Sequence, residues 1–200
     1  MRLDDVPSTK NFPKDFTFWD DETMSKARKA VFPGYAQTFY DEELNVGYRY
    51  FQTVNKEVGF PFGYGLGYTT FEYSGASVKK KGTDYVASVT VTNTSNYAGK
   101  EVVQLYVTAP KGKLEKPAYE LKAFAKTCEL RPGETQRVEM TFSNYDLASY
   151  DESQQAWVTD GGVYTALFAA SAADIREKAA FTAKSQTVKC HDVLQKRPLL

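Results

Sequence analysis

From Tyr85 onward, apolar and polar residues take turns along the chain. Tyr85, Ala87, Val89 and Val91 alternate with Val86, Ser88, Thr90 and Thr92, the two-residue period of a half-buried strand. Val103, Leu105 and Val107 alternate in the same way with Val102, Gln104 and Tyr106, and Val138, Met140 and Phe142 with Arg137, Glu139 and Thr141. Residues 121–130 read as a further extended segment. Turn formers separate these runs: residues 93–99, the polar loop 109–117, and Arg131-Pro132-Gly133-Glu134, whose Pro and Gly fall in the central positions of a type II turn. Asp160-Gly161-Gly162 predicts a tight hairpin joining Trp157-Val158 to Tyr164, Ala166 and Phe168. Ile175 and Phe181 lie near a last edge strand. About seven such strands imply a two-sheet β-sandwich, and about 120 residues suffice for it to hold its own core.

The first 59 residues lack this order. Pro7 and Pro13 punctuate a loop, and residues 21–31 predict a short helix, with Asp20 or Asp21 as N-cap and Pro33-Gly34 as its stop. Residues 40–51 are dense in aromatic rings and are expected to form a short helix or turn leading into an extended piece. So many large side chains, with so little regular structure to bury them, imply packing against something outside this segment.

Residues 60–73 join the two regions. Five aromatics and three glycines fall between Phe60 and Phe71. Pro61 fixes its own φ and pushes Phe60 towards an extended backbone, while Gly63, Gly65 and Gly67 permit turns and close approaches that a Cβ would block. A stretch that turns sharply yet carries large rings suits a seam between packed bodies.

Composition narrows the function classes. Acidic and basic residues balance at 25 each, so there is no basic surplus to neutralise phosphates and nucleic acid is not an expected partner. No apolar run reaches the roughly 20 residues of a membrane span. Cys128 and Cys190, 62 residues apart, with the single His191, make neither a disulfide framework nor a zinc spacing. Free thiols and the lack of an apolar signal core give the expectation of a reducing, cytoplasmic setting, with no metal and no cofactor.

Several ordered motifs resemble family 3 glycoside hydrolases of the β-glucosidase type. Val46-Gly47-Tyr48-Arg49-Tyr50-Phe51 followed by Phe60-Pro61-Phe62-Gly63-Tyr64-Gly65-Leu66-Gly67-Tyr68-Thr69-Thr70-Phe71 is similar to the family's junction segment. Gly67 stands where the family more often has Ser. Gly99-Lys100-Glu101-Val102-Val103-Gln104-Leu105-Tyr106-Val107, then Pro117 with Glu120-Leu121-Lys122-Ala123-Phe124, then Leu130-Arg131-Pro132-Gly133-Glu134, resemble its fibronectin type III-like domain. Asp5-Val6-Pro7-Ser8 with Asn11-Phe12-Pro13 is similar to the end of its α/β sandwich domain. The resemblance implies a mainly β fold: a fibronectin type III-like (immunoglobulin-like) sandwich over 69–190, preceded over 1–68 by an irregular, partly helical sandwich tail and junction, with 191–200 a tail or linker. It also implies a parent enzyme with a retaining mechanism, whose nucleophile lies in a barrel domain and whose acid/base lies earlier in the α/β sandwich. Neither motif is in this chain. The 190–200 tail would suit a parent in which the barrel comes last.

Candidate residues follow from this resemblance. Tyr48, Arg49, Tyr50, Phe51, Phe60, Phe62 and Tyr64 are the expected domain-seam residues, Arg49 by stacking on rings and meeting backbone carbonyls. Asp41, Glu42 and Glu43 form the nearest carboxylate cluster. Adjacent residues rarely take opposed roles in one cleft, so a solvated helix start is expected there. Trp19 and Trp157 are weighed as sugar-stacking platforms against core or edge packing, which is favoured for Trp157. Asp146, Asp151 and Asp174 are expected to be capping or solvated loop acids, and His191 has no partner in sequence. No catalytic residue is assigned. The expectation is a non-catalytic fragment whose sandwich supports the catalytic domains in carbohydrate breakdown. Its partners would be the parent's barrel and sandwich domains, or a second copy through an apolar patch of Phe12, Phe16, Trp19, Phe39 and Tyr40. The alternative is a self-standing carbohydrate-binding or adhesive module, expected to show coplanar aromatics in a groove.

Overall fold

The computed structural model describes residues 6, 7 and 42–190. The chain divides into two compact units, Met1–Gly59 and Phe60–Leu200. The helix expected over 21–31 and the patch of Phe12, Phe16, Trp19, Phe39 and Tyr40 lie outside the described residues, as do Trp19 and His191.

In the first unit a single short helix, α1 (Tyr48–Thr53), is described. It occupies the part of 40–51 expected to be extended. Gly47, at φ +59° and ψ −133°, supplies the N-cap geometry, a backbone that a side chain would resist. At the other end Lys56 N donates to Phe51 O at 2.8 Å and Asn55 takes a positive φ of 51°, the left-handed residue that commonly ends a helix.

Among the described residues of the second unit there are ten strands: β1 (Phe71–Lys81), β2 (Asp84–Asn93), β3 (Val102–Thr108), β4 (Glu120–Lys126), β5 (Thr135–Ser143), β6 (Ser149–Asp151), β7 (Ala156–Thr159), β8 (Gly162–Ser171), β9 (Asp174–Ala183) and β10 (Gln186–Lys189). They form three antiparallel sheets, ordered β1-β2-β5, β4-β3-β8-β9 and β10-β7-β6. The first two make the sandwich. Tyr85, Ala87, Val89, Val91, Val138, Met140 and Phe142 point in from one sheet, and Val103, Leu105, Val107, Tyr164, Ala166, Phe168 and Phe181 from the other. The alternation in the sequence therefore marks the core face of β2, β3, β5 and β8. At the centre Tyr85 stacks on Phe142 with centroids 5.3 Å apart, and Phe181 meets Tyr85, Phe142 and Tyr164 at 5.1, 5.6 and 5.6 Å. Such ring pairs add about 0.5–1.5 kcal/mol each beyond the area they bury.

Turn chemistry sets the register. β1 and β2 close on Gly82-Thr83, with Gly82 at φ +63° in the first central position that a type II′ turn reserves for glycine. The expected type II turn at 131–134 is formed: Gly133 has φ +76° and Glu134 N donates to Arg131 O at 2.9 Å. Where β1 and β9 approach, Arg176 Nη1 donates to Phe71 O at 2.6 Å and its guanidinium lies 5.1 Å from the Tyr73 ring centre. Tyr73 in turn donates to Glu101 Oε1 at 3.1 Å, tying the two sheets along one side.

Two expectations are corrected. The hairpin at 160–162 does not form: β7 pairs with β6 and β10, and β8 with β3 and β9. Both strands already have two neighbours, so Asp160-Gly161 instead turns the chain from one sheet to another, with Tyr164 Oη donating to Asp160 O at 2.8 Å. β3 was expected to be half-buried, but Gln104 and Tyr106 on its outer face are as inaccessible as its inner face. What covers them defines the candidate site.

Candidate docking surface

Pro61, Phe62, Gly63 and Tyr64 form a type II turn closed by Tyr64 N donating to Pro61 O at 3.0 Å, with Gly63 at φ +80°. The turn lies against the outer face of the four-stranded sheet. Ala172 N donates to Phe62 O at 2.8 Å. Gly63 sits so close to Gln104 that an added Cβ would stand 2.6 Å from Oε1 and 2.7 Å from Cδ, and nearer still to Nε2. Glycine is thus required twice here, for its φ and for the contact.

Gln104 is the pedestal of the turn. Its Nε2 donates to Ala170 O at 2.9 Å and its Oε1 accepts from Tyr106 Oη at 2.6 Å. Tyr119 packs edge-on to Tyr106 at 5.3 Å and donates to Ala172 O. Every polar atom of this buried set has a partner, the condition under which a polar network rigidifies its surroundings.

Held this way, the turn presents its rings outwards. Phe60 is 76% exposed, Phe62 52% and Tyr64 48%, and beyond them Leu66 and Tyr68 are almost fully exposed. Phe60 and Tyr64 touch at 5.2 Å. Phe124, 70% exposed, pairs in register with Gln104, so it flanks the pedestal on the same face. Contiguous apolar surface fixed on a rigid mount, rather than scattered single residues, marks an interaction site.

The seven expected seam residues fall into two groups. Tyr48, Arg49, Tyr50 and Phe51 belong to α1, where Tyr50 and Phe51 meet edge-on at 5.4 Å. Phe60, Phe62 and Tyr64 belong to the turn described above. Glu42 and Glu43 lie in a turn ahead of α1 rather than at its start: Asn45 N donates to Glu42 O at 2.7 Å and Glu43 has φ +46°.

The loop acids differ from one another. Asp146 caps as expected, accepting from Ser143 N at 2.6 Å and Ser143 Oγ at 2.8 Å. Asp174 grips Arg176 at 2.8 Å. Asp151 caps rather than being solvated: it is 3% exposed and its Oδ1 accepts from Ser153 N at 2.9 Å. Hydrogen bonds from Ser153 and Gln154, then the Lys113 ammonium at 3.2 Å, hold its carboxyl well below the usual range. Trp157 is neither core nor simple edge packing; it stands 37% exposed between Tyr145 and Tyr150. Among the described residues no three metal-ligating side chains come together, and no helix is long and apolar enough to cross a membrane.

Gln104, Tyr106 and Tyr119 were missed as site residues. Their role depends on a turn 40 residues away in sequence, and the one local signal was Gly63 among large rings.

Known proteins share this architecture. A fibronectin type III-like domain model matches residues 101–172. β-Glucosidase A of Butyrivibrio fibrisolvens is 41% identical over 197 residues, covering 88% of this chain and 21% of that protein. The structure of β-glucosidase 3B from Thermotoga neapolitana in complex with α-D-glucose superposes with a TM-score of 0.77 at 38% identity, over 94% of this chain and 24% of that one. The GH3 β-glucosidase of Bifidobacterium adolescentis gives 0.79 at 30% identity, over 98% and 26%. The chain therefore spans about a quarter or less of the relatives it matches. With motif order, sandwich and turn all in agreement, the chain corresponds to the portion of β-glucosidase-type family 3 glycoside hydrolases that carries their fibronectin type III-like domain.

Proposed function

We propose that this chain is a non-catalytic supporting part of a β-glucosidase-type hydrolase, and that the turn at 60–64 seats against the other domains of that enzyme. The observation that carries the reading is the pairing of a fully satisfied buried pedestal, Gln104–Tyr106–Tyr119, with exposed Phe60, Phe62 and Tyr64 above it. A free loop has no use for such a mount. In this reading residues 1–68 belong to the α/β sandwich and its junction, 69–190 form the supporting domain, and 191–200 lead away from it. Tyr48, Arg49, Tyr50 and Phe51 are the seam residues proposed for the first unit. Carbohydrate breakdown is then the work of the assembled enzyme, because retaining hydrolysis needs a nucleophile and a separately placed acid about 5–5.5 Å apart.

The test is turnover of aryl β-glucosides and aryl β-xylosides by the purified chain, repeated with Glu42→Gln and Glu43→Gln. The expected rate is that of buffer. Turnover that vanishes in either variant would overturn the reading and move an active site into the segment around α1.

A further inference from the structure

Tyr150, Trp157 and Val188 stand opposite one another in register across β6, β7 and β10, so their side chains share one face of that sheet. All are open to solvent, at 42%, 37% and 37%. Tyr145, 45% exposed, joins them. The Tyr145 and Tyr150 rings lie 5.9 and 5.5 Å from the indole, inclined to it by 60° and 62°. Two phenol rings thus meet the indole, each tilted against it.

One step along the same face, Gln186 pairs with Thr159. Asn144 Nδ2 donates to Gln186 Oε1 at 2.7 Å and to Lys184 O at 3.2 Å, while Asn144 Oδ1 accepts from Tyr85 Oη at 3.2 Å. The Gln186 amide is oriented by this chain of bonds, and its Nε2 has no acceptor among the described residues. An apolar ring surface therefore lies beside a positioned amide donor and two phenol hydroxyls.

Charge and size select the occupant. The rows Tyr150–Trp157–Val188 and Thr159–Gln186 carry no ionised side chain, so nothing on them complements an acidic peptide, a polyphosphate or an anionic lipid surface. Four part-exposed side chains fall far short of the roughly 20–30 residues a side of a stable protein interface. A small neutral ligand with one apolar face and a hydroxyl edge matches both parts of the surface. A pyranose with equatorial hydroxyls has that shape: its axial C–H groups cover an aromatic face, and its hydroxyls reach the amide and phenols. Because the rings are inclined rather than coplanar, they suit one sugar ring and not a flat polymer surface.

We propose that Trp157, Tyr150, Tyr145 and Gln186 form a sugar-stacking site for a soluble gluco-oligosaccharide. The site stands apart from the turn at 60–64 and does not depend on the docking function assigned to that turn. The experiment is an NMR titration of the full chain with glucose, cellobiose and methyl β-glucoside, following the Trp157 indole N–H and the amides of 149–158 and 186–189. The indole signal is assigned by Trp157→Phe. The expected result is saturable shifts with Kd on the order of 1 mM, weakened at least tenfold by Trp157→Ala and several-fold by Gln186→Ala, and unchanged by Phe124→Ala. Unaltered amide shifts in β8 and β9 check that the variants stay folded, and Tyr150→Ala repeats the test if Trp157→Ala does not. No saturable shift would overturn the proposal. So would shifts that survive Trp157→Ala, or a Trp157-dependent dimer in sedimentation, which would make a second copy the occupant.

Discussion

Replacing Gly63 by alanine tests the mount on which the exposed rings stand. The new Cβ would fall on the Gln104 amide. A side-chain tip usually gives way cheaply, but this one is buried and bonded at both ends, to Ala170 O and from Tyr106 Oη. Moving it takes the buried Gln104 amide off both of these partners, at a cost of about 1–3 kcal/mol. The φ of +80° adds about 1 kcal/mol for any L side chain. If the turn stays seated, Gly63→Ala should cost about 2–4 kcal/mol of stability in urea unfolding. If it lifts away, the global cost is smaller and the Ala172 amide, now bonded to Phe62 O, loses its protection from hydrogen exchange. A double-mutant cycle separates contact from strain: with Gln104→Ala in place, the cost of Gly63→Ala should fall to the strain alone, a coupling above about 1 kcal/mol. A Gly63→Ala protein within about 0.5 kcal/mol of the parent, with Ala172 protection unchanged, would refute the reasoning.

Three further outcomes follow from the same structure. Gly133→Ala meets open space, so only its φ of +76° is penalised, and urea unfolding should show a loss of about 1 kcal/mol, less than at Gly63. Burial raises the Glu101 carboxyl against the hydrogen bond from Tyr73 and the nearby Arg176 charge; the native state then holds the proton more tightly, stability falls as pH rises from about 4.3, and Glu101→Gln should flatten that fall in urea midpoints between pH 4 and 7. Asp151 has the opposite sign: its lowered value gives stability that is complete above about pH 3.9 and lost on further acidification, so Asp151→Asn should make acid unfolding less steep.

How much the sequence revealed depended on where each structural constraint lay. The core faces of β2, β3, β5 and β8 were legible because burial against a second sheet imposes a period of two on consecutive residues, as at Tyr85, Ala87, Val89 and Val91. The turn at 131–134 was legible because Pro and Gly encode its dihedrals locally. The link at 160–162 misled for the complementary reason: Asp-Gly-Gly encodes a tight turn but not which strands flank it in space, and β7 finds its partners at 149–151 and 186–189. Gln104 read as an outward polar residue, since nothing near it announces that Gly63 lies on top. Asp151 read as a capping or solvated acid, and its burial was not legible because its clasp comes partly from Lys113, across a loop 38 residues away. Trp157 could be weighed only as a lone ring until β6 and β10 set Tyr150 and Val188 beside it.

The docking role itself is tested most directly by sedimentation of this chain with the rest of a related enzyme. The partner would be the Butyrivibrio fibrisolvens relative lacking the segment that matches this chain. A complex is predicted that is lost when Phe60, Phe62 and Tyr64 are all replaced by alanine, in a variant shown by a cooperative urea unfolding transition to remain folded. No complex with the unaltered chain, or one that is indifferent to the triple replacement, would contradict the account.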